Sequence, residues 1–374
     1  MSEPDSQRRR IRDLGIRIGQ FAPGCANAIT DVAGVKVGHT TIVSGEGPLV
    51  VRQGPVRTGV TVILPREEHV GLHPVFAGYH VLNGNGEMTG LPWIAESGLL
   101  TTPIAITNTH SVGVVRDALI AYDVEHRTEE GSTRFSLPVV AETYDGFLND
   151  IDGQHVTAAD VFAALDNAHS GSVAEGCVGG GTGMIAHGFK GGIGTASRVL
   201  PEELGGWTVG VLVQANHGQR RLFRVNGVPV GQLLTPEEAP LLSLTAPEGT
   251  GSIIVVIATD APLLPGQCRR LAQRATIGVA RVGGLGEDSS GDIFLAFATG
   301  NRNLPNEGES LTPVDIQMLP HRALTPLFEA VAEATEEAIL NAICMATTMT
   351  GIDGHTAFAL PLDRLTALVG TNRD

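Results

Sequence analysis

Closely spaced cysteines are missing from this sequence of 374 residues. The four thiols lie far apart and form no CxxC motif: Cys25, Cys177, Cys268 and Cys344. Because disulfide frameworks and zinc sites use paired or clustered thiols, we expect buried free cysteines. Seven of the twelve histidines are equally scattered, without HExxH or another ligand spacing: His39, His73, His80, His110, His187, His217 and His355. The sequence therefore predicts no metal site.

Positive charge is also scarce, with 25 Lys and Arg against 40 Asp and Glu and a formal net charge of -15. A protein that binds nucleic acid needs a basic face to neutralise phosphates, so we exclude that class of function. No apolar run reaches the roughly 18 to 20 residues of a membrane span. The first residues, MSEPDSQRRRIRDLGIRIG, are charged and lack the apolar core of a signal peptide. We therefore expect a cytoplasmic protein without a membrane partner.

Glycine, by contrast, is abundant, at 48 of 374 residues without a collagen repeat. Such a chain contains many tight turns and close backbone contacts. The 42% of hydrophobic residues and 17% of charged residues are typical of a packed globular protein. The run 179–194 contains a GxGxxA spacing, but no strong strand precedes it, so it does not predict a dinucleotide loop. We interpret the run as close backbone packing around a site or another chain.

Apolar segments of β type alternate with the glycine-rich turns. Strands are predicted at 58–64, 104–108, 138–144, 208–216, 252–259, 293–299 and 355–360. Those at 208–216 and 252–259 are largely apolar without alternation, which is typical of strands covered on both faces. The first twenty residues are predicted to form a mobile or edge arm. Residues 234–251, rich in Pro, Glu, Thr and Gly, are predicted to form a surface linker between two halves.

Helices are predicted at 112–122 and 265–281, and two more from their start signals. Thr157 and Asp160 resemble a capping box, and Thr325 followed by proline opens a long helical segment. That segment has an apolar stripe for a sheet and leaves four glutamates largely outside it: Glu329, Glu333, Glu336 and Glu337. Helices mixed with buried strands predict a layered fold, with helices outside two central sheets.

The pair Gly251-Ser252 places a hydroxyl at the first position of a buried strand, directly after a flexible glycine carbonyl. A serine hydroxyl can attack its own preceding carbonyl if that peptide is held strained, and glycine permits unusual peptide conformations. Cleavage would leave Ser252 with a free α-amine, whose reference pKa of about 7.7 to 8.0 suits a base for its own hydroxyl. The pair is weak evidence alone, because Gly-Ser is common in loops.

Further candidates stand where other strands begin or end. Ser290 and Asp292 lie two residues apart in SSGD, so in extended chain they share one face, although a solvated turn is the simpler interpretation. Glu142 and Tyr144 share a face by strand alternation, where a carboxylate could hold a cationic group and a phenol could donate to an oxyanion. Asn216 ends an apolar strand, a position that either aims an amide at a site or caps a turn.

Two polar, glycine-rich motifs adjoin apolar segments, LNGNGEMTG at 82–90 and TNTHSVG at 107–113. Such loops either line a pocket or simply turn the chain.

Together, the ordered motifs resemble one family, the DmpA-type self-processing aminopeptidases, which include L-aminopeptidase D-Ala-esterase/amidase and the β-peptidyl aminopeptidases. The resemblance rests on seven segments in the same order: NAITDVAGVKVGHTT, LNGNGEMTG, TNTHSVGVVRDA, PVVAETYDGFLNDI, VLVQANHG, GSIIVVIATDAPL and SSGD. It runs from about residue 27 to about residue 360, nearly the whole chain.

The resemblance implies an α+β fold, a four-layer αββα sandwich like that of the N-terminal nucleophile hydrolases with its own strand connectivity. A single such domain over 1–374 would be cut between Gly251 and Ser252 into fragments 1–251 and 252–374. These would stay together, commonly as a homotetramer of processed heterodimers. No metal or cofactor is implied.

The resemblance also assigns roles to the candidates. It implies that Ser252 is the nucleophile and that Ser290 and Asp292 support it, although the family has Glu where this chain has the shorter Asp292. Asn216 and Tyr144 would donate to the oxyanion. Glu142 would hold the free ammonium of the substrate.

The resulting hypothesis is a self-processing serine aminopeptidase that releases small N-terminal residues from short peptides, amides or esters through an acyl-enzyme. One alternative is a β-aminopeptidase that prefers N-terminal β-amino acids. Another is a non-catalytic binding protein on the same fold.

Overall fold

The computed structural model describes residues 8–126, 135–242, 251–305 and 312–370. The strands, in chain order, are β1 (Lys36–Ser44), β2 (Val56–Leu64), β3 (Val75–Gly84), β4 (Leu99–Leu100), β5 (Ile104–Asn108), β6 (Val139–Thr143), β7 (Ile185–Ala186), β8 (Phe189–Lys190), β9 (Gly192–Val199), β10 (Thr208–Asn216), β11 (Ser252–Thr259), β12 (Gly291–Ala298), β13 (Met349–Thr350) and β14 (Thr356–Ala357). The helices are α1 (Leu91–Ser97), α2 (Val112–Glu125), α3 (Ala158–Asp166), α4 (Val230–Leu233), α5 (Pro265–Arg281), α6 (Leu324–Met345) and α7 (Leu362–Gly370).

One sheet has four strands in the order β1-β2-β5-β6. Its first three strands pair antiparallel, and β5 and β6 pair parallel. On the outer face, Val60, Val62 and Val140 pack against α2 and α3, through side chains such as Val115 and Val161. Helix α3 begins at the capping box that the sequence predicts, with Thr157 as its N-cap.

The other sheet has six strands in the order β4-β3-β12-β11-β10-β9. Its neighbours pair antiparallel except β11 and β12, which are parallel. All eight residues of β11 are buried, as its unbroken apolar sequence predicts. Helices α5 and α6 cover the outer face, where Val255 and Phe294 pack with Leu271 and Ile339.

The inner faces of the two sheets pack directly against each other. Side chains such as Ile63 and Ile106 of the four-stranded sheet share one apolar core with Leu212, Ile254 and Leu295 of the six-stranded sheet. The layers therefore run helix, sheet, sheet, helix, which confirms the predicted αββα sandwich.

From residue 8 onward the N-terminal arm packs against the protein, so the first of its two predicted alternatives, a mobile arm, is wrong. Ile11 and Ile18 are fully buried. Arg8 Nε donates to the Cys344 carbonyl at 2.7 Å, and Arg12 Nε lies 2.7 Å from Oε1 of Glu337. The arm is held because its alternating arginines and isoleucines satisfy both polar and apolar partners on the underlying helix.

Of the four glutamates that lie outside the apolar stripe of α6, Glu329 is exposed, but Glu333, Glu336 and Glu337 are buried. Glu333 and Glu337 are almost fully buried and bind the fully buried Arg198, at 2.9 and 2.7 Å. Arg12 binds the Glu337 carboxylate from the arm. The apolar stripe of α6 does not show this burial. Buried carboxylates are tolerated when they are paired and hydrogen-bonded, and these partners are remote in sequence.

Two smaller predictions need correction. Only Thr356–Ala357 of the segment 355–360 is a strand. All four cysteines are free, but Cys25 is exposed and Cys177 half-buried, so only Cys268 and Cys344 are the buried thiols we expected. Of the predicted linker at 234–251, residues 243–250 lie outside the described part of the chain. Within the described part of the chain, every helix is too short or too polar to cross a lipid bilayer.

Candidate functional site

Strand pairing brings three predicted site segments to one edge of the six-stranded sheet. Ser252 begins β11, and its antiparallel partner in β10 is Asn216, the last residue of that strand. On the other side, its parallel partner is Gly291, the first residue of β12, which stands between Ser290 and Asp292. The residues that carry the hydroxyl, the amide and the serine-carboxylate pair therefore lie at the same end of three adjacent strands.

The Ser252 hydroxyl contacts the carbonyl of the preceding glycine. Ser252 Oγ donates to Gly251 O at 2.8 Å. The Gly291 N–H lies 3.1 Å from Ser252 Oγ and 3.3 Å from Gly251 O. A single backbone donor thus faces both the hydroxyl and the carbonyl oxygen of the peptide that the hydroxyl would attack.

Ser290 and Asp292, on either side of Gly291, form a buried pair. Ser290 Oγ donates to Asp292 Oδ1 at 2.6 Å, and both side chains are 1% exposed. Desolvation raises the pKa of Asp292 to about 6, against the opposing effect of the Ser290 hydrogen bond. The solvated turn that SSGD suggests is present at 287–290, where Ser290 N donates to Glu287 O, but the two functional groups point into the protein.

Two backbone groups fix the amide of Asn216. Its Oδ1 accepts from Ile185 N at 2.8 Å, and its Nδ2 donates to Tyr144 O at 3.0 Å. Since an amide nitrogen carries two hydrogens, one N–H remains for an incoming oxygen. Ile185 belongs to the run 179–194, which therefore packs around the site as we interpreted.

Tyr144 follows the end of β6 and is 53% exposed. Burial of its ring and the nearby Asp145 and Asp152 carboxylates raise the pKa of the Tyr144 phenol. The ring lies over Gly146, so that a Cβ there would meet Tyr144 OH at 2.3 Å. The structure thus places the backbone of Tyr144 beside Asn216, and the role of its hydroxyl stays a prediction.

Glu142 lies in β6, on the opposite sheet, and is 4% exposed. Its Oε1 accepts from Glu87 N at 2.9 Å, and its Oε2 accepts from the Thr109 hydroxyl. Desolvation raises the pKa of Glu142, although both hydrogen bonds lower it. Glu87 and Thr109 belong to the two glycine-rich motifs. These motifs therefore do more than turn the chain, because they supply the hydrogen-bond donors of the Glu142 carboxylate.

Two buried histidines adjoin the site. The rings of His187 and His217 lie 5.0 Å apart, and burial lowers the pKa of His187 to about 4. Burial also lowers the pKa of His217, so both rings are neutral at pH 7. Among residues 8–126, 135–242, 251–305 and 312–370, no three His, Cys, Asp or Glu side chains are grouped so as to hold a metal ion.

Comparison with known proteins identifies the family of this chain. Residues 27–357 match the model of peptidase family S58. The chain is 49% identical to a β-peptidyl aminopeptidase of Sphingosinicella microcystinivorans, over 96% of this chain and 91% of that protein. It is 45% identical to a protein of the same name from Sphingosinicella xenopeptidilytica, over 96% and 90%.

Solved structures give the same result. A Burkholderia β-aminopeptidase superposes with a TM-score of 0.89 at 56% identity, covering 98% of this chain and 99% of that one. The L-aminopeptidase D-Ala-esterase/amidase of Ochrobactrum anthropi, described as a prototype of the serine aminopeptidases and a variant of the Ntn hydrolase fold, superposes with a TM-score of 0.88 at 45% identity, over 97% and 98%. The resemblance found in the sequence is confirmed. The chain is a hydrolase, and it belongs to peptidase family S58.

Proposed function

We propose that the chain cleaves itself between Gly251 and Ser252 and then acts as a serine aminopeptidase. The observation that carries the proposal is the contact of Ser252 Oγ with Gly251 O at 2.8 Å, with the Gly291 N–H facing both atoms. Attack of Oγ on the Gly251 carbonyl carbon would break the peptide bond and form an ester. Gly291 N–H would stabilise the oxyanion of that step. Water would then hydrolyse the ester and leave Ser252 as a new N-terminus.

The processed enzyme would use the same atoms on its substrate. Ser252 Oγ attacks the carbonyl of the first residue, and its proton passes to the new α-amine or, through Ser290, toward Asp292. The free N–H of Asn216 and the Tyr144 hydroxyl stabilise the oxyanion. The leaving amine or alcohol takes up a proton, and water releases the first residue from the acyl-enzyme.

Glu142 would select substrates with a free N-terminus. Burial keeps water away from this carboxylate and so disfavours its charge. The ammonium of a bound substrate would supply the opposite charge and favour the ionised form of Glu142. A blocked N-terminus offers no such charge. The proposal therefore describes an exopeptidase that acts on short peptides, amides and esters.

The second candidate is a β-aminopeptidase, and the names of the similar proteins favour it. Relatives at 49% and 45% identity and a solved structure at 56% identity are called β-peptidyl or β-aminopeptidases. The non-catalytic binding protein on the same fold has no such support.

One experiment tests the enzyme and separates the two substrate classes. Purified protein is assayed with α-alanyl, β-alanyl and N-acetylalanyl p-nitroanilides, beside Glu142→Gln. We expect hydrolysis of at least one unblocked substrate and none of the acetylated one. Glu142→Gln should raise KM by at least about tenfold, because it removes the charge but keeps the shape. Hydrolysis of the acetylated substrate at the same rate would contradict the role of Glu142.

We further propose that the processed chain is a homotetramer of heterodimers that acts in the cytoplasm without a cofactor. Family resemblance supports the assembly. The four free cysteines fit a reducing compartment. Sedimentation analysis of the purified enzyme tests the assembly.

A further inference from the structure

Residues 85–89 connect the two sheets at the site, and we call this segment the crossover. It leaves β3 of the six-stranded sheet, whose last residues Asn83 and Gly84 lie opposite Asp292 and Gly291. It reaches β6 of the four-stranded sheet, where Met88 forms a bridge with Ala141 and Thr89 N donates to Val140 O at 2.9 Å. The crossover therefore spans from the nucleophile's sheet to the strand that carries Glu142.

At its start, the crossover is fixed to the turn that carries Ser290. The pairing of β3 and β12 is irregular between Asp292 and Ile293, and such bulges re-aim side chains. Here Asn83 Nδ2 donates to Glu287 O at 2.8 Å and also to Ser290 O. Asn85 Nδ2 donates to Ser289 O at 2.8 Å.

At its far end, the crossover holds the carboxylate, since Glu87 N donates to Glu142 Oε1 at 2.9 Å. Between the two ends, Gly86 lies between Gly291 of the six-stranded sheet and Glu142 of the four-stranded sheet. A Cβ at Gly86 would lie 2.9 Å from Cα of Gly291 and 3.2 Å from Oε1 of Glu142. The bare backbone of Gly86 thus lets Glu142 lie close to Gly291 of β12, the residue paired with Ser252 in the neighbouring strand.

We propose that Gly86 determines the length of the N-terminal residue that the enzyme accepts, by setting the separation of Glu142 from Ser252. The inference rests on the proposed role of Glu142 as the ammonium ligand. In an α-residue the nitrogen and the carbonyl carbon are about 2.5 Å apart, and the extra carbon of an extended β-residue adds about 1.3 Å. Because the carboxylate and the hydroxyl bind opposite ends of that residue, their separation selects between the two lengths.

The test is Gly86→Ala, with Gly84→Ala as the matched control. At Gly84 the nearest described atom to an added Cβ would be Cγ1 of Val81 at 3.8 Å, an ordinary contact. Gly291 lies in an inner strand and cannot yield, so the methyl group added at position 86 would push the Glu142 carboxylate away from it. The ratio of kcat/KM for β-alanyl over α-alanyl p-nitroanilide should rise at least about fivefold in Gly86→Ala, given that 1 Å of misplacement can cost about a hundredfold. It should stay within about twofold in Gly84→Ala.

The ratio does not depend on how much of each preparation is processed, because both substrates report on the same active molecules. An unchanged ratio in Gly86→Ala would overturn the proposal. So would loss of processing in Gly86→Ala but not in Gly84→Ala, which would place Gly86 in the cleavage step.

If Gly86→Ala does not fold, Glu142→Asp carries the test, since retreat of the carboxylate by one carbon must also raise the ratio. Absence of activity on both substrates in the wild-type enzyme would instead contradict the proposed function itself.

Discussion

At the scale of single residues, the orientation of the Asn216 amide is the most testable feature. Ile185 N–H and Tyr144 O hold its two ends, so the remaining N–H has a fixed direction. An oxyanion donor of this kind typically contributes about 2.7 to 4 kcal/mol to the transition state. Asn216→Ala should therefore lower kcat about a hundredfold or more in a steady-state assay.

Asn216→Asp is the matched variant for that measurement. It keeps an acceptor for Ile185 N–H but replaces the donor with a second oxygen, so kcat should fall at least as far as in the alanine variant. Recovery of activity in Asn216→Asp would show that the side chain acts only through packing.

The buried carboxyl of Asp292 gives a prediction about stability and pH. Its pKa is raised from 3.8 to about 6 in the folded chain. The native state therefore keeps the proton longer than the unfolded state, so this group lowers the free energy of unfolding as pH rises from about 4 to 6. Asp292→Asn removes that loss. Both proteins carry Ser252→Ala, so that neither chain is cleaved, and their Tm values are measured as a function of pH. The Tm of the Asp292→Asn variant minus the Tm of the protein that keeps Asp292 should grow over this pH range and then level off. A difference that shrinks with rising pH would contradict the raised pKa.

The candidate side chains could be singled out because they stand where apolar strands begin or end, but only the family resemblance favoured their roles over ordinary turns. Ser252, Asn216 and Asp292 all stand at such positions. The Gly291 N–H could not be predicted from residue types, since every residue except proline has one and its use depends on the pairing of β11 with β12. Thr109 and Glu87 could be found only as members of polar loops, because the contact with Glu142 is remote in sequence.

At the scale of elements, glycine allows α6 to pack directly on β9. A Cβ at Gly194 would lie 2.0 Å from the Ala338 carbonyl oxygen, whereas at Gly113 in α2 no described atom lies within 4 Å. Gly194→Ala should destabilise the fold by about 1–3 kcal/mol or more through overpacking. Gly113→Ala should stabilise it by about 0.4–1 kcal/mol through the unfolded chain. Urea denaturation of the two variants measures both, and equal effects would contradict this packing.

The predicted elements succeeded where the pattern was strong and local. The strands Ile104–Asn108, Thr208–Asn216 and Ser252–Thr259 have the predicted bounds, as does helix Pro265–Arg281. The strands Lys36–Ser44, Val75–Gly84 and Gly192–Val199 were missed. Each contains one or two glycines, which have low β propensity, and their pairing with neighbouring strands stabilises them instead. The order of strands depends on contacts between distant segments and could be expected only through the family resemblance.

At the scale of the whole molecule, the proposed cut divides the chain but not the fold. In the six-stranded sheet, β11 and β12 follow the cut, and they lie between β3 on one side and β10 on the other, which precede it. Arg12 and Arg198, before the cut, bind Glu333 and Glu337 of α6, after it. Separation of the fragments would expose the hydrophobic core and leave buried charges unpaired.

We therefore expect both fragments to elute together in native size-exclusion chromatography and apart in denaturant. Their separate elution in native buffer would contradict this arrangement of strands.

The intact mass of the purified protein under denaturing conditions, beside Ser252→Ala, tests the central claim most directly. Scaling the 39.0 kDa of the whole chain by length, cleavage between Gly251 and Ser252 predicts two species of roughly 26 and 13 kDa. We expect both species in the wild type and one whole chain in Ser252→Ala. A single species of 39.0 kDa in active wild-type protein would contradict the account, because Ser252 would then lack the free α-amine that the proposed mechanism uses.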